Sequence, residues 1–146
     1  MISWIGDLAS WMRTAAAVLR PAGRLVPVDL HPLFNMVTDL HPLRLDVPYV
    51  NDGPRRLEDQ GGSYALPDAA TVHNVTVEFG HSLGEVVTSA AGAGLVVQQL
   101  GEYLAVESDV GRSLLPRDGD GLLRWRQHGS CYPSCSASWR ASRADL

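Results

Sequence analysis

The residues with the most distinctive chemistry lie at positions 80–85, Gly-His-Ser-Leu-Gly-Glu. Residues 80–84 fit the G-x-S-x-G pattern, in which a serine on a tight strand-to-helix turn acts as a nucleophile. The same residues fit an ordinary helix start, because Ser82 can cap the first turn and Glu85 can reach back to complete a capping box. The first interpretation predicts acyl-transfer chemistry at Ser82, and the second predicts a structural role.

An acyl-transfer site at Ser82 needs an acid and a base later in the chain. Asp118 or Asp120, followed by His128, supplies these groups in the required order. The segment also resembles the nucleophile elbow of malonyl-CoA-type acyltransferases. Those enzymes need a much longer chain, and no glycine cluster for an oxyanion hole precedes the motif. The helix cap is therefore the favoured interpretation.

The elements around the motif predict a strand, a helix and a second strand. Apolar residues alternate over 75–79, which indicates a strand with one buried face. They then recur at helical spacing over 83–91, and residues 92–94, Gly-Ala-Gly, are expected to end that helix. An apolar strand is predicted from Leu95 onward.

An earlier unit has the same order of helix and strand. Asp7 is a candidate N-cap for a helix that is expected to end at Arg20, before Pro21. A short strand is predicted over 25–28, although Pro27 within it lacks the N–H that a central strand uses. Two helix–turn–strand units predict an α/β fold with a mostly parallel sheet covered by helices.

Length and composition limit the class of protein. The chain has 146 residues, of which 45% are hydrophobic, and a formal net charge of −4, which is typical of one soluble globular domain. No basic stripe interleaved with aromatics is present, so nucleic acid is an unexpected partner. No apolar run is long enough to span a bilayer, and no secretory signal is recognisable, so we expect a cytoplasmic protein without a membrane partner.

Other candidate ligands and loops are weaker. His128, Cys131 and Cys135 have imperfect spacing for a structural zinc site, so we expect no metal. His31 and His41 each precede a proline, which holds them extended and favours loop positions. Residues 52–62 are expected to form an exposed loop of the length seen in lids and binding loops.

Several segments, in order, resemble a known family. Residues 11–25, with Arg-Pro-Ala-Gly after a helix, and residues 62–64, 70–74 and 81–95 resemble class I S-adenosylmethionine-dependent methyltransferases. The resemblance covers roughly residues 2–105. It implies a Rossmann-like sheet with an antiparallel final strand, and a parent enzyme that transfers a methyl group from S-adenosylmethionine to a small-molecule acceptor.

The resemblance also implies candidate site residues. The family's glycine-rich cofactor loop and the acidic residue after its second strand have no counterpart, because the chain starts near the end of the family's fourth strand. Ser3 and Trp4 are then expected at the cofactor's edge. His31 and His81 are candidate general bases, and Tyr64 is expected on the substrate side. We therefore expect little activity or S-adenosylmethionine binding from this chain alone.

The predicted organisation has two parts. Residues 1–123 are expected to form an incomplete Rossmann-like methyltransferase sheet, and residues 124–146 an irregular or disordered tail. We hypothesise a frameshift near Arg124, because another reading frame of GC-rich codons for 130–139 can encode an apolar strand. An unpaired sheet edge invites self-association. A non-catalytic binding module that uses this edge is the alternative from another functional class.

Overall fold

The computed structural model describes residues 2–58, 70, 72–106, 115–133 and 136–143. Within them, the helices are a 3-10 helix Ile2–Trp4, α1 (Leu8–Val18), α2 (Pro32–Asn35) and α3 (Leu83–Gly92). The strands are β1 (Arg24–Leu25), β2 (Val28–Leu30), β3 (Val37–Leu40), β4 (Leu43–Leu45), β5 (Pro54–Glu58), β6 (Val75–Phe79), β7 (Leu95–Glu102), β8 (Trp125–Gln127), β9 (Ser130–Tyr132) and β10 (Ser136–Arg143). The mixed α/β content is confirmed.

The largest sheet is organised around β10. Ala141 pairs with Leu25 of β1 on one side and with Val97 of β7 on the other. β2 continues along the same side as β1, with Val28 opposite Ser138. The ladder is interrupted at residues 26–27, where Pro27 has no N–H, and it resumes in unchanged register.

The direction of the strands corrects one prediction. Every strand pair in the described part of the chain is antiparallel, so the expected mostly parallel sheet is not formed by direct pairing. β1 and β7 do run in the same direction, because each is antiparallel to β10. β10 lies between β1 and β7, the strands that follow α1 and α3.

α1 and α3 pack together and cover one face of this sheet. α1 begins as predicted, with the Asp7 carboxylate accepting the Ser10 backbone N–H at 2.8 Å. α3 ends at Gly92, and Gly94 takes a φ of 77°, which glycine adopts at low cost. The first core consists of Leu8, Met12, Ala16, Val86, Ala90, Leu95 and Ala141.

The opposite face of the sheet has no such cover among the described residues. Arg24, Ser142 and Val96 lie side by side across the three strands, and cross-strand partners project from the same face. Val26 and Val28 are 59% and 57% exposed, and Val96 is 52% exposed. We call Val26, Val28 and Val96 the valine face.

A second core joins α2 and the β3–β4 hairpin to the C-terminal segment. Its buried members are Phe34, Val37, Leu40, Leu115, Leu123 and Trp125. The prediction of an irregular tail over 124–146 is therefore wrong where the chain is described, since β8, β9 and β10 all fall there. Trp125 anchors the tail by packing on Phe34 and Tyr132, with ring centroids 6.3 and 5.0 Å away.

The β5–β6 hairpin differs from its predicted pattern in two ways. Residues 54–58 form a strand, whereas a loop was expected there. Val75 and Val77 are 41% and 42% exposed, so the predicted buried face of β6 is wrong at these positions. The more covered face carries an ion pair between Arg55 and Glu78, 2.8 Å apart. Among the described residues, no helix is long and apolar enough to cross a membrane.

Candidate functional site

Ser82 caps α3 in an unstrained conformation. Its hydroxyl accepts the Glu85 backbone N–H at 3.1 Å, as the helix-start interpretation predicts. Its φ and ψ are −72° and 158°, ordinary extended values, whereas a nucleophile elbow holds its serine on a strained turn. The geometry of Ser82 thus gives no support to acyl transfer.

The proposed partners of Ser82 have other contacts. Asp118 and Asp120 both accept hydrogen bonds from Arg124, at 2.8 and 2.9 Å. His128 has a φ of 50° and precedes Gly129, with a φ of 80°, between β8 and β9. Two positive φ values are typical of a tight hairpin turn, so His128 has a turn position.

Removing the Ser82 hydroxyl should lower the stability of the fold and should not affect any reaction. We expect Ser82→Ala to lower the free energy of unfolding by about 1 kcal/mol, because the Glu85 N–H loses its acceptor. Thr88→Ala, at an exposed position of the same helix, is the control and should change it by less than about 0.5 kcal/mol. Urea unfolding measures both. A fluorophosphonate probe should leave Ser82 unlabelled; labelling would contradict the capping role.

His81 binds the N-terminal segment to the start of α3. Its Nε2–H donates to the Ile5 carbonyl at 2.7 Å, which fixes the proton on Nε2 in the neutral ring. Its Nδ1 lies 3.0 Å from a Glu85 carboxylate oxygen, but the two atoms are not aligned for a hydrogen bond. His81 is buried, so Nδ1 is a buried polar atom without a hydrogen-bond partner.

His31 has both ring nitrogens engaged. Nδ1 accepts the Leu33 N–H at 3.0 Å and so caps α2, while Nε2–H donates to Glu102 at 2.6 Å. His31 is 4% exposed and Glu102 lies at the end of β7. In this arrangement His31 has no lone pair left for a substrate proton. The geometry favours a positioning role over the predicted role of general base.

A pocket opens beside the ends of β2 and β6. It is lined by Ile2, Ser3, Pro27, Asp29, Leu30, Pro32, Asn35, Phe79, His81, Leu83 and Val86. Of the predicted site residues, it brings together Ser3 and His81. Trp4 is outside the lining and 51% exposed, and Tyr64 lies outside the described residues. His31 is not among the lining residues, although its sequence neighbours Leu30 and Pro32 are.

Sequence reasoning missed two acidic residues. Asp29 lines the pocket, and its carboxylate accepts the backbone N–H groups of Ile2 and Leu30. Glu102 holds His31 from the neighbouring strand end. Glu102 is the last residue of β7 and Asp29 the last but one of β2, so both lie near the carboxyl ends of strands, where ligands bind in open α/β sheets. That position was a usable signal for Asp29, because a short strand was predicted directly before it.

The described residues do not fit S-adenosylmethionine as a complete site. Gly6, near Ser3, is used for internal packing, because a Cβ there would lie 3.0 Å from the Phe79 ring. Gly80 follows β6, and it has open space beside it but no neighbouring glycine. Of the two residues expected at a cofactor's edge, Ser3 lines the pocket and Trp4 is not among its lining residues. No chemical step through the cofactor follows from these residues.

Metal ligands are likewise not assembled in the part of the chain that the structure describes. No three His, Cys, Asp or Glu side chains there come together as a ligand set. Cys131 has a free thiol in β9, and Cys135, the third residue of the predicted cluster, lies outside the described residues.

The second core carries an ion-pair network on its surface. Arg124 makes two hydrogen bonds to Asp120, at 2.9 and 2.7 Å, and Arg126 bonds Asp118 at 2.8 Å. The Arg124 hydrogen bonds lower the pKa of Asp120 from 3.8 to about 2, helped by the Leu122 N–H. Arg126 first, and Arg124 second, lower the pKa of Asp118.

This network predicts a specific dependence on pH. A carboxylate whose folded-state pKa is depressed stabilises the fold above its unfolded pKa, and that contribution is lost as pH falls through the folded value. We expect the free energy of unfolding to decrease between pH 3.8 and about 2 more steeply in the wild type than in Asp120→Asn. Arg124→Gln should flatten the profile at least as much, because Arg124 also lowers the pKa of Asp118. A wild-type slope in that variant would contradict the pairing.

Comparisons were made with protein-family models, curated proteins and solved structures, and none of them finds a match to this chain.

Proposed function

We propose that this chain corresponds to the C-terminal, acceptor-side half of a class I S-adenosylmethionine-dependent methyltransferase. The observation that carries the proposal is the position of the final strand. β10 lies antiparallel between β1 and β7, which run in the same direction and each follow a helix on one face. A Rossmann-like sheet with an antiparallel final strand is the architecture that the sequence resemblance implies.

The location of the pocket supports the same proposal. β2 and β7 end at one edge of the sheet, where Leu30 and Glu102 pair with the adjacent residues Ser136 and Ala137 of β10. Ligands of open α/β sheets bind outside the carboxyl ends of the strands. The pocket lies at this edge, beside Asp29 and Leu30.

In this proposal, the chain's own residues bind and orient the acceptor. Phe79, Leu83 and Val86 supply an apolar wall, and His81 holds the N-terminal segment against it through the Ile5 carbonyl. S-adenosylmethionine supplies the methyl group, and alignment of donor and acceptor is the main contribution of the protein. Ser3 is the proposed contact to the cofactor's edge.

The open side of the sheet is consistent with a missing half. Val26 and Val28, on β1–β2, are more than half exposed. Contiguous exposed apolar surface of this kind tends to find a partner.

The DNA upstream of Met1 tests the proposal directly. We expect an in-frame or frameshifted sequence that encodes a strand, a glycine-rich loop and a helix. The chain extended by that segment should bind S-adenosylmethionine at micromolar concentration in calorimetry, whereas residues 1–146 alone should show no measurable binding. An upstream sequence without such a segment in any frame would overturn the proposal, and so would micromolar binding by residues 1–146.

The valine face favours a second candidate, a non-catalytic module that binds another chain through this surface. Gel filtration separates the two functions. A stable, monodisperse monomer or dimer supports the module, because a folded half-enzyme with an open apolar edge is expected to aggregate. Replacing Val26 and Val28 with threonine should reduce that aggregation.

A further inference from the structure

Two arginines lie on the sheet face that α1 and α3 leave uncovered. Arg24 and Val96 are both level with Ser142 of β10, one on each side of it. Arg140 lies two residues earlier on β10, so it projects from the same face as Ser142. It pairs with Gln99 of β7 and is a diagonal neighbour of Arg24, and such neighbours lie about 7–8 Å apart. We call Arg24 and Arg140 the arginine pair, and it lies among the residues of the valine face.

The arginine pair has no acidic partner in the described part of the chain. The carboxylates of the same strands, Asp29 and Glu102, are both level with Ala137, three residues from Arg140, so they project from the opposite face. The ion pairs among the described residues use other arginines, namely Arg44, Arg55, Arg124 and Arg126. Arg24 is exposed, and the Nε of Arg140 makes no hydrogen bond. The chain has a net charge of −4, so this face is a positive patch on an acidic protein.

An α-helix is the element that fits an uncovered sheet face of this size. From Arg24 to Val28 the face spans about 13 Å, at about 3.3 Å per residue. Two to three turns of α-helix have this length, at about 5.4 Å per turn. Helices already cover the other face of the same sheet, and stable domains bury the apolar face of a sheet against another layer. The valine face calls for an apolar stripe on such a helix, and the arginine pair calls for carboxylates beside that stripe.

We propose that the valine face and the arginine pair together bind an amphipathic helix of another protein, in which acidic residues flank an apolar stripe. The carboxylates pair with Arg24 and Arg140, and the apolar side chains cover the three valines. This inference rests on the second candidate function, the binding module, and gives its partner a chemistry. It is independent of the methyltransferase proposal.

Charge argues against two other occupants. A second copy that docked through the same face about a two-fold axis would bring the two arginine pairs together, and like charges across an interface are costly. Anionic membranes are recognised by clusters of about four to eight Lys or Arg residues. This face has two arginines among the described residues.

Two fluorescent peptides of about 18 residues test the chemistry of the partner. Both carry leucine at i, i+3, i+4 and i+7 spacing, and the flanking positions are glutamate in the acidic peptide and lysine in the basic peptide. The acidic peptide should bind at least about tenfold more tightly at low salt, and the ratio should fall as salt is added. Because the net charge of −4 attracts the basic peptide everywhere else, this preference reports the arginine pair. Equal binding, tighter binding of the basic peptide or no saturable binding overturns the proposal.

Charge reversal locates the binding surface. Arg24→Glu, at an exposed position, should weaken the acidic peptide at least about tenfold and strengthen the basic one. Arg13→Glu is the matched control, because Arg13 is exposed on α1, on the other side of the sheet, and it should change either affinity by less than about twofold. Replacing Val26 and Val28 with threonine should weaken both peptides. A wild-type preference in Arg24→Glu overturns the proposal.

The other possible results are distinguishable. If the free chain aggregates through this face, the acidic peptide should reduce its light scattering and the basic peptide should not; no reduction overturns the proposal. Self-association that Arg24→Glu strengthens would assign the face to a second copy and overturn it. Binding to phosphatidylserine vesicles without binding of the acidic peptide would do the same in favour of a membrane. A monodisperse chain that binds neither peptide would overturn this inference and leave the module function standing.

Discussion

Phe34→Ala should lower the free energy of unfolding by about 3–5 kcal/mol, the range for deleting a fully buried phenylalanine. Phe34 is 0% exposed and packs on Trp125, with ring planes tilted by 53°. It connects α2 to the C-terminal segment, so the cavity would open between two elements that no continuous helix or strand joins. A loss of this size is a large fraction of the 5–15 kcal/mol typical of a domain.

Urea unfolding followed by tryptophan fluorescence measures this loss. Phe34→Leu should cost less than about 1.5 kcal/mol, because most of the volume is kept, and it remains measurable if Phe34→Ala does not fold. Leu43→Ala is the control on the neighbouring hairpin, where Leu43 is 44% exposed, and it should cost less than about 1 kcal/mol. If the Phe34 and Leu43 variants lose equal stability, the second core does not stabilise the fold as the contacts indicate.

The helices could be predicted because their signals are local. Asp7 and Ser82 are side chains that cap helices, and the apolar residues that follow each cap have helical spacing. In both helices the buried side chains lie four residues apart, as Leu8, Met12 and Ala16 show. These patterns depend only on residues within and next to each helix. They can therefore be recognised in the sequence without knowledge of the strand order or the tertiary contacts.

The central strand β10 could not be predicted from the sequence. Its position depends on backbone pairing with other strands and not on a pattern of apolar residues along it. β10 is rich in serine, alanine and arginine, yet it has β-strand partners on both sides. Ala141 is fully buried under α1 and α3. Its side chain is small, so the sequence carries little sign of this burial. Arg140, one residue earlier, has a buried Nε with no hydrogen-bond partner. An unpaired buried donor in a central strand is unfavourable, and it is compatible with the frameshift hypothesis.

The site was predictable only in part. The resemblance implied both Ser3 and His81 as site residues, and both line the pocket. Asp29 and Glu102 lie 73 positions apart in the sequence, and their approach to His31 and the pocket depends on the register of β2 and β7 along β10. No local pattern encodes that register. The contact between the buried His31 and Glu102 likewise joins residues far apart in the sequence, and the proline after His31 gave no sign of it.

His31→Ala should lower the free energy of unfolding by about 2–4 kcal/mol, the second-largest effect we expect. The extended conformation before Pro32, with φ −66° and ψ 133°, suits an N-cap, and the ring replaces the usual serine or aspartate as acceptor. The variant loses this cap, worth about 1 kcal/mol, and the charge-assisted bond to Glu102, worth about 1.5–3 kcal/mol. The Glu102 side chain is half-exposed, so water can hydrogen-bond to its carboxylate in the variant. This limits the total loss of stability.

His31→Asn separates the two contributions, because asparagine is a good N-cap but is too short to reach Glu102. It should recover about 1 kcal/mol relative to His31→Ala. A double-mutant cycle between His31→Asn and Glu102→Gln should give a coupling free energy of about 0.5–3 kcal/mol, as for residues in direct contact. The cycle is measured in unfolding experiments with no ligand present, so it reports the contact between His31 and Glu102 alone. Additive losses from the two variants would therefore contradict the hydrogen bond between His31 and Glu102 and return His31 to the list of candidate bases.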